Sequence, residues 1–193
     1  MAVVDRREQV LHAAAQSFSL FGYKATTMDQ VAKIANVGKG TIYTFFENKE
    51  ELFDEILLGA IRELRHRAEA EIHAERPFFE NVYHALDTIV EFREEHELFL
   101  KLSQELRDIG TPQAKAALFK VESVVLQFLE RLIRESMDKG AIREGNAEVI
   151  AFGILKLFIA MTVEWEMHHP PMSKKELKEH VFTFLTQGFT AAP

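Results

Sequence analysis

Between Met28 and Phe46 the chain is punctuated too closely for anything but two short helices and a tight turn. Thr27, with Gln30 three residues on, has the capping-box pattern that opens a helix. Met28, Val31, Ala32 and Ile34 give that helix one apolar face, and it ends near Asn36. Asn36-Val37-Gly38 makes the turn. A second short helix starts around Lys39 and runs through Thr41, Ile42, Tyr43 and Phe45, with Ile42 and Phe45 placed to fill a core. Neither helix is long enough to persist in water alone. The segment from about Asp5 to Phe21 supplies the partner, since Val10, Ala14, Phe18 and Phe21 recur at helical steps and Gly22 is placed as an αL C-cap. Three short helices on one small core, the last two joined by a tight turn, form a helix-turn-helix arrangement.

Everything after that segment also reads as helix. Asn48 caps a long fourth helix whose first turn carries Glu50 and Glu51, where the dipole favours negative charge. Apolar periodicity and punctuation place helices at about 49–74, 77–96, 98–108, 112–139, 147–168 and 173–190. Pro77 and Thr111-Pro112 mark starts, Gly140 a stop, Gly145-Asn146 a start, and His169-Pro170-Pro171 a break before a Ser173 cap. Strand signals are almost absent. The expected fold is all-α: a three-helix DNA-binding head over residues 1–48 and a mostly antiparallel helical bundle over 49–193.

Charge divides along the same line. Residues 1–49, the head with Lys49, hold six basic and four acidic groups and carry +2, while the rest of a chain of net charge -7 carries -9. That pattern fits a small nucleic-acid reader carried on a body with another task. The chain has no cysteine, which excludes disulfides, thiolate metal sites and a cysteine nucleophile. No apolar leader opens it, and the most apolar stretch, Ile150–Val163, is short and interrupted by Lys156. A cytoplasmic protein without a membrane segment is expected.

In such an arrangement the second helix enters the major groove, and residues near its N-terminus reach base edges. Gly38, Lys39, Gly40 and Thr41 hold that position here. Glycine allows close backbone approach to phosphate, Lys39 adds charge, and Thr41 can bond to base or phosphate. Tyr43 and Thr44 are expected on the exposed side, where a hydroxyl can donate to phosphate. Thr26 and Thr27 at one helix start and Lys49 at another are placed for the same backbone. Taken singly, Thr27 only caps, Lys49 is only solvated and Tyr43 only covers the core. Their convergence on one end of one module favours DNA. Lys39-Gly40-Thr41 lacks the preceding strand and the earlier glycine of a nucleotide-binding loop.

Thr26-Thr27-Met28-Asp29-Gln30-Val31-Ala32, Ala35-Asn36-Val37-Gly38-Lys39-Gly40-Thr41-Ile42-Tyr43 and Phe45-Phe46-Glu47-Asn48-Lys49-Glu50-Glu51-Leu52 together resemble the DNA-binding signature of the tetracycline-repressor (TetR) family. Ala13-Ala14 to Phe18 and Phe21-Gly22-Tyr23 are similar to that family's first helix. Gly38 departs from the serine usual before the recognition-helix lysine. The resemblance covers about residues 7–53. It implies a homodimeric transcription factor, usually a repressor, bound to a palindromic double-stranded DNA operator and released by a small ligand in the C-terminal domain. It also implies that the last two helices build the dimer interface.

The residues beyond the head agree. Phe152, Leu155, Ile159 and Val163 form one stripe of the 147–168 helix, and Ile154, Phe158, Met161 and Trp165 another. A helix apolar on two faces must be covered on both. Leu177, Val181, Phe184, Leu185 and then Phe189 give the last helix a similar stripe. A second copy of the chain is the expected cover, with plain monomer core as the alternative. Phe78, Tyr83, Phe92, Phe99, Phe119, Phe158 and Trp165, with Gln127 as a polar anchor, are candidate walls of a cavity for an apolar or amphipathic effector. Glu164 and His168 lie at i, i+4, but a third ligand is missing, so neither a metal nor another cofactor is expected. Two other function classes remain: a helical-bundle enzyme, which lacks the usual equipment, and a protein-interaction adaptor. Salt-dependent binding to duplex DNA separates both from a regulator.

Overall fold

A computed structural model describes residues 5–186. Nine α-helices and no strand occur among them: α1 (Arg6–Ala25), α2 (Met28–Ala35), α3 (Lys39–Tyr43), α4 (Lys49–Ala70), α5 (Phe78–Glu95), α6 (Glu97–Asp108), α7 (Pro112–Asp138), α8 (Ala147–Ile159) and α9 (Lys174–Thr186). The end of the last predicted helix and Phe189 lie outside the described residues.

The caps are those that local chemistry dictates. Thr27 accepts from the Gln30 amide while Gln30 accepts from the Thr27 amide, a complete capping box at α2. Asn36 adopts the left-handed conformation at φ 51°, which ends α2 and turns the chain toward α3. Asn48 accepts from the Glu51 amide at the head of α4, and Asn146 from the amides of Glu148 and Val149 at α8. Ser173 and Glu176 cap α9 reciprocally.

Four sequence expectations need revision. Gly22 breaks α1 at φ 81° but does not end it; the helix resumes to Ala25. Phe46 rather than Phe45 fills the core, because the chain leaves α3 after Tyr43 and shifts the inward position by one residue. Phe21 and Ile34 are partly exposed rather than inward. The predicted 147–168 helix keeps α-geometry only to Ile159. It continues as a π-helical turn, Ala160–Glu164, and a 3₁₀ turn, Trp165–Met167. There the Thr162 hydroxyl donates to the Phe158 carbonyl at 2.7 Å, and the Trp165 indole N–H donates to the Pro170 carbonyl at 3.0 Å. Side-chain donors thus take up main-chain carbonyls in the irregular segment.

The described residues form two compact units, one up to residue 65 with 90–122 and the other of 66–89 with 123 onward. In the first, α1 packs on α2 and α6. Phe18 and Tyr23 each meet Phe53 edge to face around its centre, with Phe18–Phe53 ring centroids 5.1 Å apart and Tyr23–Phe53 4.9 Å apart. Ile42, Phe46, Leu52, Leu57, Leu98 and Leu102 complete that core. In the second, Leu86, Leu129, Ile133, Ile154, Leu155 and Phe158 are buried together with Leu177 and Val181.

Candidate nucleic-acid interface

The α2–turn–α3 segment presents one polar surface. Lys39, Gly40, Tyr43 and Thr44 are exposed, Gly38 precedes them in the open, and Thr41 is half-buried. Ile42 is fully buried and anchors α3 to the core. Tyr43 leaves 47% of its surface exposed, enough for its side chain to meet a partner. The Thr44 hydroxyl donates to the Thr41 carbonyl at 2.6 Å, closing the short helix. Thr27 is exposed, and its hydroxyl already caps α2.

Lys39 does not stand free. Its ammonium is 2.9 Å from the Asp29 carboxylate, which lies in the first turn of α2. That hydrogen bond, with the negative charge behind it, raises the Lys39 pKa above its usual value. The pair ties the opening turns of α2 and α3 into one surface. No spacing rule foretells a pairing ten residues apart on two helices.

Two candidate contacts lie elsewhere. Thr26 has no exposed surface. Its hydroxyl donates to the Gly22 carbonyl at 2.8 Å and lies 3.2 Å from the Ser17 hydroxyl. Lys49 donates to the carbonyls of Tyr23 at 2.9 Å and Thr26 at 3.1 Å, and sits over the Tyr23 ring. Both residues hold the α1–α2 corner. The neighbouring Tyr23 hydroxyl donates to Glu50 at 2.5 Å. Burial, reinforced by Glu50, pushes the Tyr23 pKa well above its normal range, and the same hydrogen bond draws Glu50 down.

The candidate cavity residues divide between the two units. Phe92 and Phe99 are buried on either side of His96 in the first, where Phe119 is 70% exposed and lines no interior. In the second, Tyr83 packs edge to face on Phe158, and its hydroxyl donates to the Lys174 carbonyl. Phe78 contacts Phe79. Trp165 is partly exposed and stacked on His169. Gln127 lines an open groove of about 530 Å³ with Leu126, Glu130, Val149 and Phe152. Of the candidate interface stripe, Phe152 is exposed, Ile159, Val163, Phe184 and Leu185 are half-buried, and Leu155, Leu177 and Val181 are buried in the chain's own core. The outward apolar residues that periodicity missed are Val149 on α8 and Phe182 on α9. No helix among the described residues is long and apolar enough to cross a membrane.

The profile described as bacterial regulatory proteins, tetR family, matches residues 10–56. The HTH-type transcriptional regulator YhgD of Bacillus subtilis (strain 168) is 45% identical over 188 residues, covering 97% of this chain and 98% of that one. Among solved structures, the fatty acid degradation regulator FadR from Bacillus halodurans superposes with a TM-score of 0.69 at 19% identity, covering 100% of both chains. The transcriptional regulator FadR from Bacillus subtilis, in complex with stearoyl-CoA, gives 0.67 at 21% identity, covering 95% of this chain and 99% of that one.

Proposed function

Because the chain belongs to the TetR family of bacterial regulatory proteins, and so is a transcriptional regulator, we propose that it is a homodimeric repressor of a palindromic operator, released by an apolar or amphipathic small molecule. The observation that carries this reading is the exposed surface of α2 and α3, where Lys39, Gly40, Tyr43 and Thr44 surround a helix anchored by buried Ile42. α3 lies in the major groove. Gly38, Lys39, Gly40 and Thr41 meet base edges or phosphate, while Thr27, Tyr43 and Thr44 position the head on the backbone.

A single head reads only a half-site. Val149, Phe152 and Phe182 leave apolar surface on α8 and α9 of one compact unit, which supports a two-fold interface there. The two recognition helices then stand about 34–36 Å apart, one turn of duplex. Likeness to the regulator solved with stearoyl-CoA makes a long-chain acyl compound the first effector class to test. An effector acts only through its different affinity for the DNA-competent and released arrangements.

The test is a mobility-shift titration of the full chain on the DNA upstream of its own gene. Lys39→Ala and Tyr43→Ala each weaken binding about tenfold while the protein stays folded, as expected for one lost charge-assisted contact. Stearoyl-CoA releases the complex. Unchanged affinity in both variants counts against the proposed role of α3.

A further inference from the structure

We propose that Glu105, on α6 and outside the DNA-facing surface, is a positioning residue that sets the angle of the reading head. The inference rests on the DNA-binding role proposed above. It comes from three facts about one carboxylate. Glu105 is buried, with 5% of its surface exposed. One oxygen accepts from the Thr111 hydroxyl at 2.5 Å, and the other accepts from the Lys24 backbone N–H at 3.2 Å. The second oxygen also lies so close to Gly22 that a Cβ on that residue would overlap it.

Packing alone does not call for a carboxylate there. Leu98, Phe99, Leu102 and Glu105 share the buried face of α6, where the periodicity asks for another leucine. Burying a carboxylate costs free energy unless directional hydrogen bonds offset it. Glu105 has such bonds, and both lead to defined points. Thr111 accepts from the Ala114 amide and so caps α7. Lys24 lies on the turn of α1 that follows the break at Gly22.

From that turn a short route leads to the DNA surface. Both the amide and the hydroxyl of Thr26 donate to the Gly22 carbonyl. Thr27, its covalent neighbour, is the N-cap of α2. Lys49 fixes the same corner from α4 through the carbonyls of Tyr23 and Thr26. The corner is therefore held from α4 by an ammonium and from α6 by a carboxylate. Gly22 supplies the positive φ and the room for the latter. Removing the carboxylate leaves α6 packed but frees the turn that carries α2.

The test uses the full-length protein in four forms: wild type, Glu105→Leu, Glu105→Asp and Glu105→Gln. Glu105→Leu keeps the packing and loses the restraint. It is expected to melt at or above the wild-type temperature yet bind operator about tenfold more weakly, the order of one lost hydrogen bond to a charged group. Hydrogen exchange at Lys24 and across α2 accelerates in that variant, while exchange in α8 is unchanged. Glu105→Asp draws the carboxylate back and shows the same weaker operator binding and faster exchange, at a lower melting temperature because a carboxylate stays buried without its bonds; it carries the test should the leucine variant not fold. Glu105→Gln can still accept from Lys24 and donate to Thr111, and stays within about twofold of wild type. Wild-type affinity in the folded leucine or aspartate variant overturns the proposal, as does unchanged exchange at Lys24. A wild-type protein that binds no DNA overturns the proposed function instead, and the exchange data then decide whether Glu105 restrains the corner.

Discussion

Lys39 illustrates how one side chain is set by its neighbour rather than by its motif. In the free protein its charge is partly engaged by Asp29, so phosphate must compete with a carboxylate 2.9 Å away. Asp29→Asn removes the competitor and a like charge facing the DNA. It is expected to tighten binding to any duplex about two- to threefold, the scale of an exposed ion pair. The slope of log affinity against log salt should steepen by about 0.9, one additional phosphate neutralised. An unchanged slope in titrations from low to moderate salt contradicts this view of the pair. The exposed placement of Lys39 and Tyr43 was legible because their helix is local and its N-terminus is marked by Gly38. The bonds of Thr26 and Lys49 to the carbonyls of Gly22, Tyr23 and Thr26 were not legible, because these groups become neighbours only when α1 and α4 fold together. The signal for Glu105 was present, as an acidic residue at a position where the α6 period demands an apolar one.

At the scale of elements, the legible features were those with a local cause. Asn48, Asn146 and Ser173 cap the helices that their sequence positions announce. The turn between α2 and α3 depends on Asn36, the one non-glycine residue among those described that has a positive φ. Asn36→Gly should leave the fold intact, whereas Asn36→Val should cost about 1–2 kcal/mol, because a β-branched side chain resists the left-handed conformation. A chemical-denaturation midpoint reads the difference, and equal midpoints for the two variants refute the argument. The break in the α1 ladder at Gly22 was mistaken for an end, since a glycine at a kink and a glycine at a C-cap look alike in one dimension. The irregular end of α8 was hidden for another reason. Ile150–Val163 is a mostly apolar run broken only by Lys156 and Thr162, and nothing in it marks the Thr162 hydroxyl as a competitor for main-chain carbonyls.

For the whole molecule, the open question of the sequence was which apolar stripe faces inward. Periodicity grouped Phe152 with Leu155 and set both toward a second copy. In the structure Leu155 is buried within the chain and Phe152 is exposed beside Val149. A helix with apolar residues on most of its circumference fixes no direction by period alone, and only the packing of its neighbours does so. The dimer proposed here therefore relies on the outward residues. Phe152→Glu should shift the protein toward monomer in sedimentation and weaken operator binding, since each monomer then engages one half-site. A variant that remains dimeric with full affinity moves the interface elsewhere. The account as a whole turns on whether α3 reads DNA. Fluorescence anisotropy of the full-length protein on its own upstream duplex, with a scrambled duplex of the same length as control and salt as the variable, asks this most directly. The prediction is a tight complex with the upstream duplex alone, weakening steeply with salt and about tenfold weaker in Tyr43→Ala. Equal affinity for both duplexes, or no binding at low salt, contradicts it.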